Sequence, residues 1–332
     1  MTKHPLRIIG AALAVTVILC PCARAQQRFS YGDMVKHMTD LTRLAELPAP
    51  GERCAQWSSY DRASRYDAAT GKYVQWGANN DGPMFIRREG DQEVMAEMEG
   101  PGCIWRIWSA RAQQGRVRIY LDGAAQPAVD LPFIDYFSGQ REPFAYPMLS
   151  YNLEHMKSHG QNLYFPIPYQ KSCKIVADKG WGQYFHFTYT TYPKGTTVPT
   201  FSAKLAAENA AALKAVNDFF ANKLGEDPAG KRDGEETARK TVRVAPGRSA
   251  CVVELAGPRA ITALRVKTAF KDRDDEMAGL RKLALRITWD GEPKPAVWCP
   301  LGDFFGTAPG VNLYKSFVTG MTEDGYYALW YM

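Results

Sequence analysis

The chain has 332 residues, of which 45% are hydrophobic, 12% aromatic and 23% charged, and its formal net charge is +6. This length exceeds one typical hydrophobic core and predicts two domains. The weak positive charge argues against a nucleic-acid partner. Beyond the N-terminus, no stretch approaches the roughly 20 apolar residues of a membrane span.

The first 25 residues have the pattern of a secretory signal. Basic residues precede an apolar run from Ile8 to Leu19, and the small-residue pattern Ala23-Arg24-Ala25 follows. Cleavage before Gln26 leaves 38 basic and 35 acidic side chains, a net charge of +3. A lipoprotein cleavage box ending at Cys20 is the alternative, but the bulky Leu19 argues against it. We therefore expect a periplasmic or extracellular protein without a membrane span.

Five cysteines lie beyond the signal, and none forms a CxxC pair: Cys54, Cys103, Cys173, Cys251 and Cys299. This pattern predicts neither a metal cluster nor a disulfide framework, although an oxidising compartment permits one bridge. His155 and His159 have the spacing of zinc ligands, but no carboxylate completes an HExxH arrangement. We expect no metal and no cofactor. The sequence also lacks GxGxxG, GxxxxGKS/T and GxSxG, which argues against dinucleotide, P-loop and serine-hydrolase sites.

Residues 26–50 are predicted to contain a helix, because apolar residues have helical spacing from Tyr31 to Leu47 and two prolines follow. From 51 to 199 the pattern changes to short β-branched or aromatic segments between Gly, Pro and Asp-Gly, which predicts antiparallel strands. The long and uneven connections favour a sandwich or jelly roll over an up-and-down barrel, so we expect an all-β fold of tandem jelly-roll domains. The predicted strands are Val94 to Met98, Cys103 to Ser109, Val117 to Leu121, Asn162 to Phe165, Cys173 to Ala177 and Tyr184 to Thr190.

Residues 200–238 are predicted to form a helix and a charged linker. The helix runs from Thr200 to Gly225, with Ser202 as its N-cap and Gly225 as its stop. Residues 239–332 are predicted to form a second, incomplete jelly roll. Its strand signals are Thr241 to Val244, Cys251 to Leu255, Ile261 to Val266 and Leu283 to Trp289.

One passage occurs twice in the chain. The segment from Arg116 to Phe137 returns between Lys282 and Phe305, and ten of about twenty positions match at an offset of 168 residues. Earlier matches, from Gly90 to Ile104, have an offset of 157. Such a long spacing indicates two copies of a whole domain. The second copy stops before counterparts of the last strands of the first, so we expect this sequence to be part of a longer protein.

Two stretches place aromatic rings beside charged and amide groups: Trp57-Ser58-Ser59-Tyr60-Asp61-Arg62 and Trp76-Gly77-Ala78-Asn79-Asn80-Asp81-Gly82. Sugars need this combination, because their C–H faces stack on rings and their hydroxyls pair with donors and acceptors. The alternative is a structured loop in which Asp61 and Arg62 make ordinary turn and salt-bridge contacts. The candidate binding residues are Trp57, Tyr60, Asp61, Arg62, Asn80 and Asp81.

The segment from Gly100 to Trp108 predicts a strand entered by a tight turn. Simple alternation places one set of side chains, Ile104, Arg106 and Trp108, on one face, and the other set, Cys103, Trp105 and Ile107, on the opposite face. Asp135 and Asp303, each followed by two aromatic residues, are candidate acids. Their duplication favours a structural role, such as capping a loop.

The repeated Asp-Gly-x-x-x-Pro-Ala-Val with its Asp-aromatic-Phe, together with SSYDR, GPGCIWRIW and YFPIPYQKS, resembles the DUF2961 proteins, grouped as glycoside hydrolase family 172. The resemblance covers most of residues 55–332. It implies tandem jelly rolls that assemble into trimers or hexamers, and retaining hydrolysis of furanosides, including difructose dianhydride and D-arabinofuranose-containing glycans. It carries Tyr60, Asp61 and Arg62 over as binding residues, with Asn80 and Asp81 placed after an insertion.

The resemblance also implies two catalytic glutamates, which retaining hydrolysis needs about 5 Å apart. One belongs to a Gly-Glu-Gly-Asp stretch shortly before the second Asp-Gly turn, and the other directly precedes the Asp-aromatic-Phe segment. This chain has Arg281 and Lys282 near the first position and Gly302 at the second, and its first copy has Ile134.

Three explanations of this mismatch are open. The catalytic domain lies beyond Met332, other acids such as Glu292 or Asp303 act, or the protein binds sugar without cleaving it. The first explanation favours a secreted or periplasmic hydrolase of fructose- or arabinofuranose-type oligosaccharides. The alternative function is that of a non-catalytic carbohydrate-binding or oligomeric jelly-roll protein. The expected partners are an oligosaccharide and, by analogy with the family, two further copies in a homotrimer.

Overall fold

A computed structural model describes residues 27–75, 85–110, 112, 115–156, 159–180, 184–307 and 309–329. We call residues 51–199 the first half and residues 239–332 the second half. The helices are α1 (Tyr31–His37), α2 (Ala207–Asn222), α3 (Arg273–Lys282) and α4 (Leu301–Phe304). The strands of the first half are β1 (Arg53–Ser58), β2 (Arg65–Asp67), β3 (Lys72–Val74), β4 (Arg87–Glu89), β5 (Gln92–Glu99), β6 (Gly102–Ser109), β7 (Arg116–Leu121), β8 (Val129–Pro132), β9 (Ser150–Asn152), β10 (Gln161–Tyr169), β11 (Ser172–Asp178) and β12 (Phe185–Thr191). Those of the second half are β13 (Ala263–Val266), β14 (Ala284–Ile287), β15 (Val297–Pro300), β16 (Tyr314–Lys315), β17 (Thr319–Thr322) and β18 (Gly325–Leu329).

The first half is a sandwich of two antiparallel five-stranded sheets, in the orders β1-β12-β6-β10-β9 and β4-β5-β11-β7-β8. Its buried core includes Ile107, Leu163 and Phe187 from the first sheet and Ile119 and Ile175 from the second. Two layers packed over such a core are a β-sandwich, which confirms the all-β fold class. The six strands predicted in this half are present with adjusted ends, whereas β1, β4, β8, β9 and the β2–β3 hairpin were not predicted.

A bulge at Trp105 corrects the predicted faces of β6. Arg106 and Ile104 pair with the adjacent residues Thr188 and Tyr189 of β12, so Trp105 is the extra residue against β12. Against β10 the register also shifts here, but there the extra residue lies on β10, between Tyr164 and Ile167. Ile104 and Ile107 consequently both face the core, while Arg106 and Trp108 face outward. Trp105 packs instead with Cys103 and residues of α1 outside the main core.

The N-terminal helix is shorter than predicted. α1 ends at His37, and a separate 3₁₀ turn covers Leu41–Ala45 because the Asp40 carboxylate accepts from the Thr42 N–H and starts a new turn. α2 likewise begins later than predicted, without a side-chain cap at Ala206. The predicted cap, Ser202, is wrong because the preceding Phe201 is buried and its N–H donates to Pro168 O, which keeps the chain extended there.

The second half repeats the first in register. In the β7–β8 hairpin Arg116 pairs with Pro132 and Ile119 with Val129, and β14–β15 repeats these pairs 168 residues later. Both turns use the left-handed conformation, with φ of 54° at Asp122 and 47° at Asp290. The order β13-β18-β17 also matches β6-β10-β9. The change of offset from 157 to 168 is explained by α3, which lies between β13 and β14 where the first half has a short loop.

Two predicted strands of the second half are wrong. Thr241 to Val244 and Cys251 to Leu255 form no strand, and their valines are exposed, Val252 by 49%. Their counterpart β5 lies between β4 and β11, whereas no described strand of the second half lies beside this segment. The pattern is that of a strand, but a strand needs a partner for its backbone groups.

The remaining second half has a smaller core around Leu280, Phe305 and Met321, and it packs on the N-terminal 3₁₀ turn through Leu41, Tyr327 and Leu329. The five cysteines beyond the signal segment are unpaired. In the part of the chain that the structure describes, no helix has the length and apolar character needed to cross a bilayer. The predicted signal segment, residues 1–25, lies outside the described residues.

Candidate functional site

Trp57, Tyr60, Asp61 and Arg62 come together at the end of β1. The Arg62 guanidinium lies 4.8 Å from the ring centre of Tyr60 and 5.9 Å from that of Trp57. Its NH1 donates to Tyr60 O at 3.2 Å, and its NH2 donates to Ser58 O at 3.3 Å. Burial lowers the pKa of Arg62, which still remains charged at neutral pH. The guanidinium is therefore fixed between two aromatic rings by backbone carbonyls.

The other site residues have different roles. Trp57 points inward, where its Nε1 donates to Glu97 O at 2.8 Å. Asp61 accepts from the Ala63 N–H at 2.9 Å, which is the turn contact expected if these residues only form a structured loop. Arg62 binds carbonyl oxygens, however, and not the carboxylate that this interpretation also expected. Tyr60 is 49% exposed and is the ring of this group most open to a ligand.

This site lies at one end of the first sandwich. Ser59 N donates to Phe185 O and Phe185 N to Ser59 Oγ, so the loop after β1 adjoins the start of β12. Ser109, at the end of β6, pairs with both Phe185 and Gln161. The end of β1, the end of β6 and the starts of β10 and β12 therefore meet at the same end of the sandwich, beside residues 59–64. Asn80 and Asp81 lie outside the described residues, and their place in the site stays a prediction.

A second group of side chains was missed by sequence reasoning. It consists of outward-facing residues on the sheet that contains β1, and we call it the outer face: Arg106, Trp108, Tyr151, Asn162, Tyr164 and His186. One row across the strands is His186, Trp108, Asn162 and Tyr151, and Arg106 pairs with Tyr164 in the next. Polar and aromatic residues alternating with apolar ones in IWRIW, QNLYF and FHF were the available signal.

Contacts within the outer face hold its planar groups side by side. The rings of Trp108 and His186 are 4.6 Å apart at 31°. Arg106 NH2 donates to Asn162 Oδ1 at 2.9 Å, and its guanidinium lies 5.6 Å from the ring centre of Tyr164. Burial and the charge of Arg106 lower the pKa of His186, so its imidazole is neutral at pH 7. The result is a set of ring faces and hydrogen-bonding groups of low net charge.

The two candidate acids are not brought together. Glu292 lies in the exposed turn before β15, where its N–H donates to Trp289 O, and Asp303 follows the other end of that strand. The four residues of β15 span about 13 Å. Asp303 is also paired with Arg281. Glu292 and Asp303 therefore do not form the close carboxylate pair of a retaining hydrolase.

The positions expected to carry glutamates do meet in space, but without two carboxylates. Arg281 reaches Asp303, the residue after Gly302. A Cβ at Gly302 would lie 2.8 Å from the backbone oxygen of Thr307 and 3.2 Å from Leu280 Cβ. Position 302 thus has no space for a glutamate side chain in this backbone arrangement.

Carboxylates that approach each other elsewhere share a cation. On the second sheet, Glu89 and Glu97 both contact Arg87 at 2.6 Å. Hydrogen bonds from Lys174 and Arg87 lower the pKa of Glu89, and that from Arg87 lowers the pKa of Glu97. A general acid needs the opposite shift, so this is an ionic network and not a catalytic pair. No metal-binding group of His, Cys, Asp or Glu occurs among the residues that the structure describes.

The second half contains a cleft of about 500 Å³ between the ends of β13 and β18. It is lined by charges of both signs, including Lys267, Arg273 and Glu276. The Glu276 carboxylate is occupied, since Oε1 accepts from the Val311 N–H at 3.1 Å and contacts Arg273. This cleft therefore offers less free hydrogen-bonding and stacking surface than the end of the first sandwich.

A β-sandwich with aromatic and guanidinium groups at its end and on one face has the groups that a carbohydrate-active protein needs. Comparison with family models gives the same result: residues 50–209 match the GH172 first beta-sandwich domain, and residues 234–332 match a GH172 domain-like region. The chain belongs to glycoside hydrolase family 172. No curated protein matches the chain at a significant level.

Proposed function

We propose that this chain acts on furanoside oligosaccharides of fructose or arabinofuranose type outside the cytoplasm, as a protein of the glycoside hydrolase type. Family membership supports a carbohydrate as the substrate. The family resemblance of the sequence motifs supports furanosides as the kind of carbohydrate. The observation that carries the binding role is the Arg62 guanidinium, held between Trp57 and the exposed ring of Tyr60. A sugar ring can stack on Tyr60 while its hydroxyls pair with polar groups of the same loop.

Isothermal titration calorimetry with inulin-type fructo-oligosaccharides and arabinofuranosyl oligosaccharides tests this binding role on the full chain. The Tyr60→Ala variant is expected to raise Kd about tenfold, because a stacking ring is lost. Trp298→Ala is the matched control, since Trp298 is 77% exposed on β15 in the second half. Equal binding of maltotriose, a pyranoside, or unchanged binding by Tyr60→Ala would contradict the proposal.

A second candidate function, sugar binding without hydrolysis, is favoured by one observation. Of the two positions where the family resemblance implies glutamates, the first has Arg281 and Lys282 near it and the second is Gly302, which has no side chain. Incubation of the full chain with the bound oligosaccharide, followed by chromatography of the products, separates the two functions. Released furanose supports the hydrolase, whereas binding without product supports the non-catalytic alternative.

Secretion and trimer formation are further parts of the proposal. The signal-like pattern of residues 1–25 supports export, and cell fractionation of the protein expressed with this segment tests it. Closed cyclic assembly is supported by the family resemblance alone. Light scattering coupled to gel filtration of the exported protein should give three times the mass of one chain, and a monomer mass would contradict it.

A further inference from the structure

We propose that the outer face is a second sugar-binding surface, on which an oligosaccharide lies across the strands of the first sheet. The ligand class rests on the proposed function, but the surface is distinct from the loop that holds Tyr60 and Arg62. It binds the sugar chain and takes no part in bond cleavage.

The dimensions of the surface suit an oligosaccharide. Ser58, His186, Trp108, Asn162 and Tyr151 form one row across all five strands. Four inter-strand spacings give a length of about 19 Å. Ser58 lies at the end of β1 beside the loop that carries Tyr60, so one chain of sugars can continue from this row into the first site.

The chemistry of the surface also suits a sugar. Outward positions of the two rows are polar or aromatic, and none is aliphatic or a carboxylate: Ser58, His186, Trp108, Asn162, Tyr151, Gln56, Thr188, Arg106 and Tyr164. A cationic partner would need carboxylates, which these two rows lack. Sugar rings offer C–H faces to Trp108 and Tyr164 and hydroxyls to Arg106, which the buried Asn162 holds in place.

The surface is ordered before a ligand arrives. Trp108 stacks on His186, and Arg106 is held by Asn162 and by the ring of Tyr164. Tyr151 and Tyr164 are nearly parallel, with ring centres 6.4 Å apart. Side chains that are already fixed lose little conformational entropy on binding, which favours affinity. Tyr164 nevertheless remains 39% exposed, so its ring is open to a ligand.

Two neighbouring elements flank the surface, α1 and the loop that holds Tyr60. The bulge at Trp105 turns that indole toward α1, where it packs with Met34 and Cys103 and donates to Thr190 Oγ1 at 3.0 Å. Helix α1 therefore covers the sheet on one side of the two rows. The loop that holds Tyr60 lies on the other side, next to the start of β12. A ligand that lies between these two elements would run across the strands.

Calorimetry with long and short inulin-type fructo-oligosaccharides and with arabinofuranosyl oligosaccharides tests this inference. Trp108→Ala and Tyr164→Ala are each expected to raise Kd for the long chains about tenfold and to leave that for the disaccharides almost unchanged. Trp298→Ala is the control for loss of an exposed indole. Trp108→Phe, which keeps a ring, should restore part of the affinity. Thermal unfolding of each variant checks that it folds.

The outcomes separate this inference from the proposed function. If Trp108→Ala weakens sugar binding and Tyr60→Ala does not, the outer face is a sugar-binding surface and the loop of Tyr60 is not a binding site. The reverse result keeps the first site and overturns the inference. Normal sugar binding by folded Trp108→Ala and Tyr164→Ala overturns it too. Light scattering on the same variants measures the mass of the assembly. If that mass changes while sugar affinity does not, the outer face contacts another copy of the chain, and the inference is overturned.

Discussion

The β7–β8 hairpin of the first half lies in a five-stranded sheet, whereas its counterpart β14–β15 pairs with no further strand among the described residues. In the first half, β11 lies beside β7 and links it to β5. The two hairpins nevertheless share turn conformation and register. Local residues therefore specify the hairpin, while the sheet around it depends on strands that are distant in the sequence.

The same contrast applies to the two turn aspartates. Asp122 accepts from the N–H groups of Gln170, Lys171 and Ser172 and from Thr200, so it ties the β7 turn to the β10–β11 connection. Asp290 has the same backbone conformation but is exposed. The turn geometry that the two halves share therefore supports long-range contacts in the first half and only a local turn in the second.

Hydrogen exchange should show the largest difference between the halves. Amides of β11 are expected to exchange at least about a thousandfold more slowly than those of Cys251 to Leu255, because only β11 lies between two strands. Mass spectrometry of peptides from both segments measures the ratio. Equal protection would mean that the second-half segment is paired after all, and would remove the contrast.

Substitution of the two aspartates tests the long-range role of Asp122. Asn tolerates the left-handed conformation at both sites, so backbone effects are matched. Asp122→Asn is expected to lower the free energy of unfolding by about 1–3 kcal/mol, because one oxygen that accepts hydrogen bonds is replaced by a donor. Asp290→Asn should stay within about 0.5 kcal/mol. Urea unfolding measures both, and similar losses would contradict the prediction.

The stabilisation by Asp122 should also depend on pH. Burial alone would raise the pKa of this carboxyl, but the hydrogen bonds from Thr200, Lys171, Ser172 and Gln170 outweigh it and lower the pKa. The contribution is therefore complete above the unfolded-state value of about 3.9 and is lost as the pH falls through the lower folded-state value. The difference in stability between the wild type and Asp122→Asn should be constant from pH 7 to 5 and shrink below about pH 4. A constant difference down to pH 2 would contradict this account.

The sequence predicts the structure correctly where that structure depends on residues close together in the chain. The strands β5, β6 and β7 follow from alternation and turn residues, and the duplication follows from matched positions. The bulge at Trp105 has no signature in the sequence, and it moves Ile104 from the face of Arg106 and Trp108 to the core. The outer face combines residues from β6, β9, β10 and β12, whose proximity depends on strand order. Thr241 to Val244 shows the reverse case, a correct local pattern without a partner strand.

A substitution at Gly302, the counterpart of Ile134, tests whether the second half can accept the side chain that the family resemblance implies. Gly302→Ala is expected to cost about 1–3 kcal/mol, because its Cβ would press on the Thr307 carbonyl and on Leu280. Gly32→Ala in α1 is the control, since its Cβ would meet only Ser30 Oγ at 3.7 Å; it should be neutral or slightly stabilising. Unfolding midpoints compare the two, and an unaffected Gly302→Ala would reopen the position to a glutamate.

The Arg281–Asp303 pair should have the smallest effect on stability. Both side chains are substantially exposed, as is the Arg141–Asp135 pair at 3.9 Å in the first half. Exposed ion pairs contribute little, so Arg281→Ala and Asp303→Asn should each change stability by no more than about 0.5 kcal/mol. Because Asp303 recurs as Asp135, and each contacts an arginine, although from different parts of the chain, we expect Asp303→Asn to leave any furanoside turnover unchanged. A fall in kcat of several orders of magnitude, with stability and sugar affinity intact, would instead make Asp303 a catalytic acid and end the equivalence of the two aspartates.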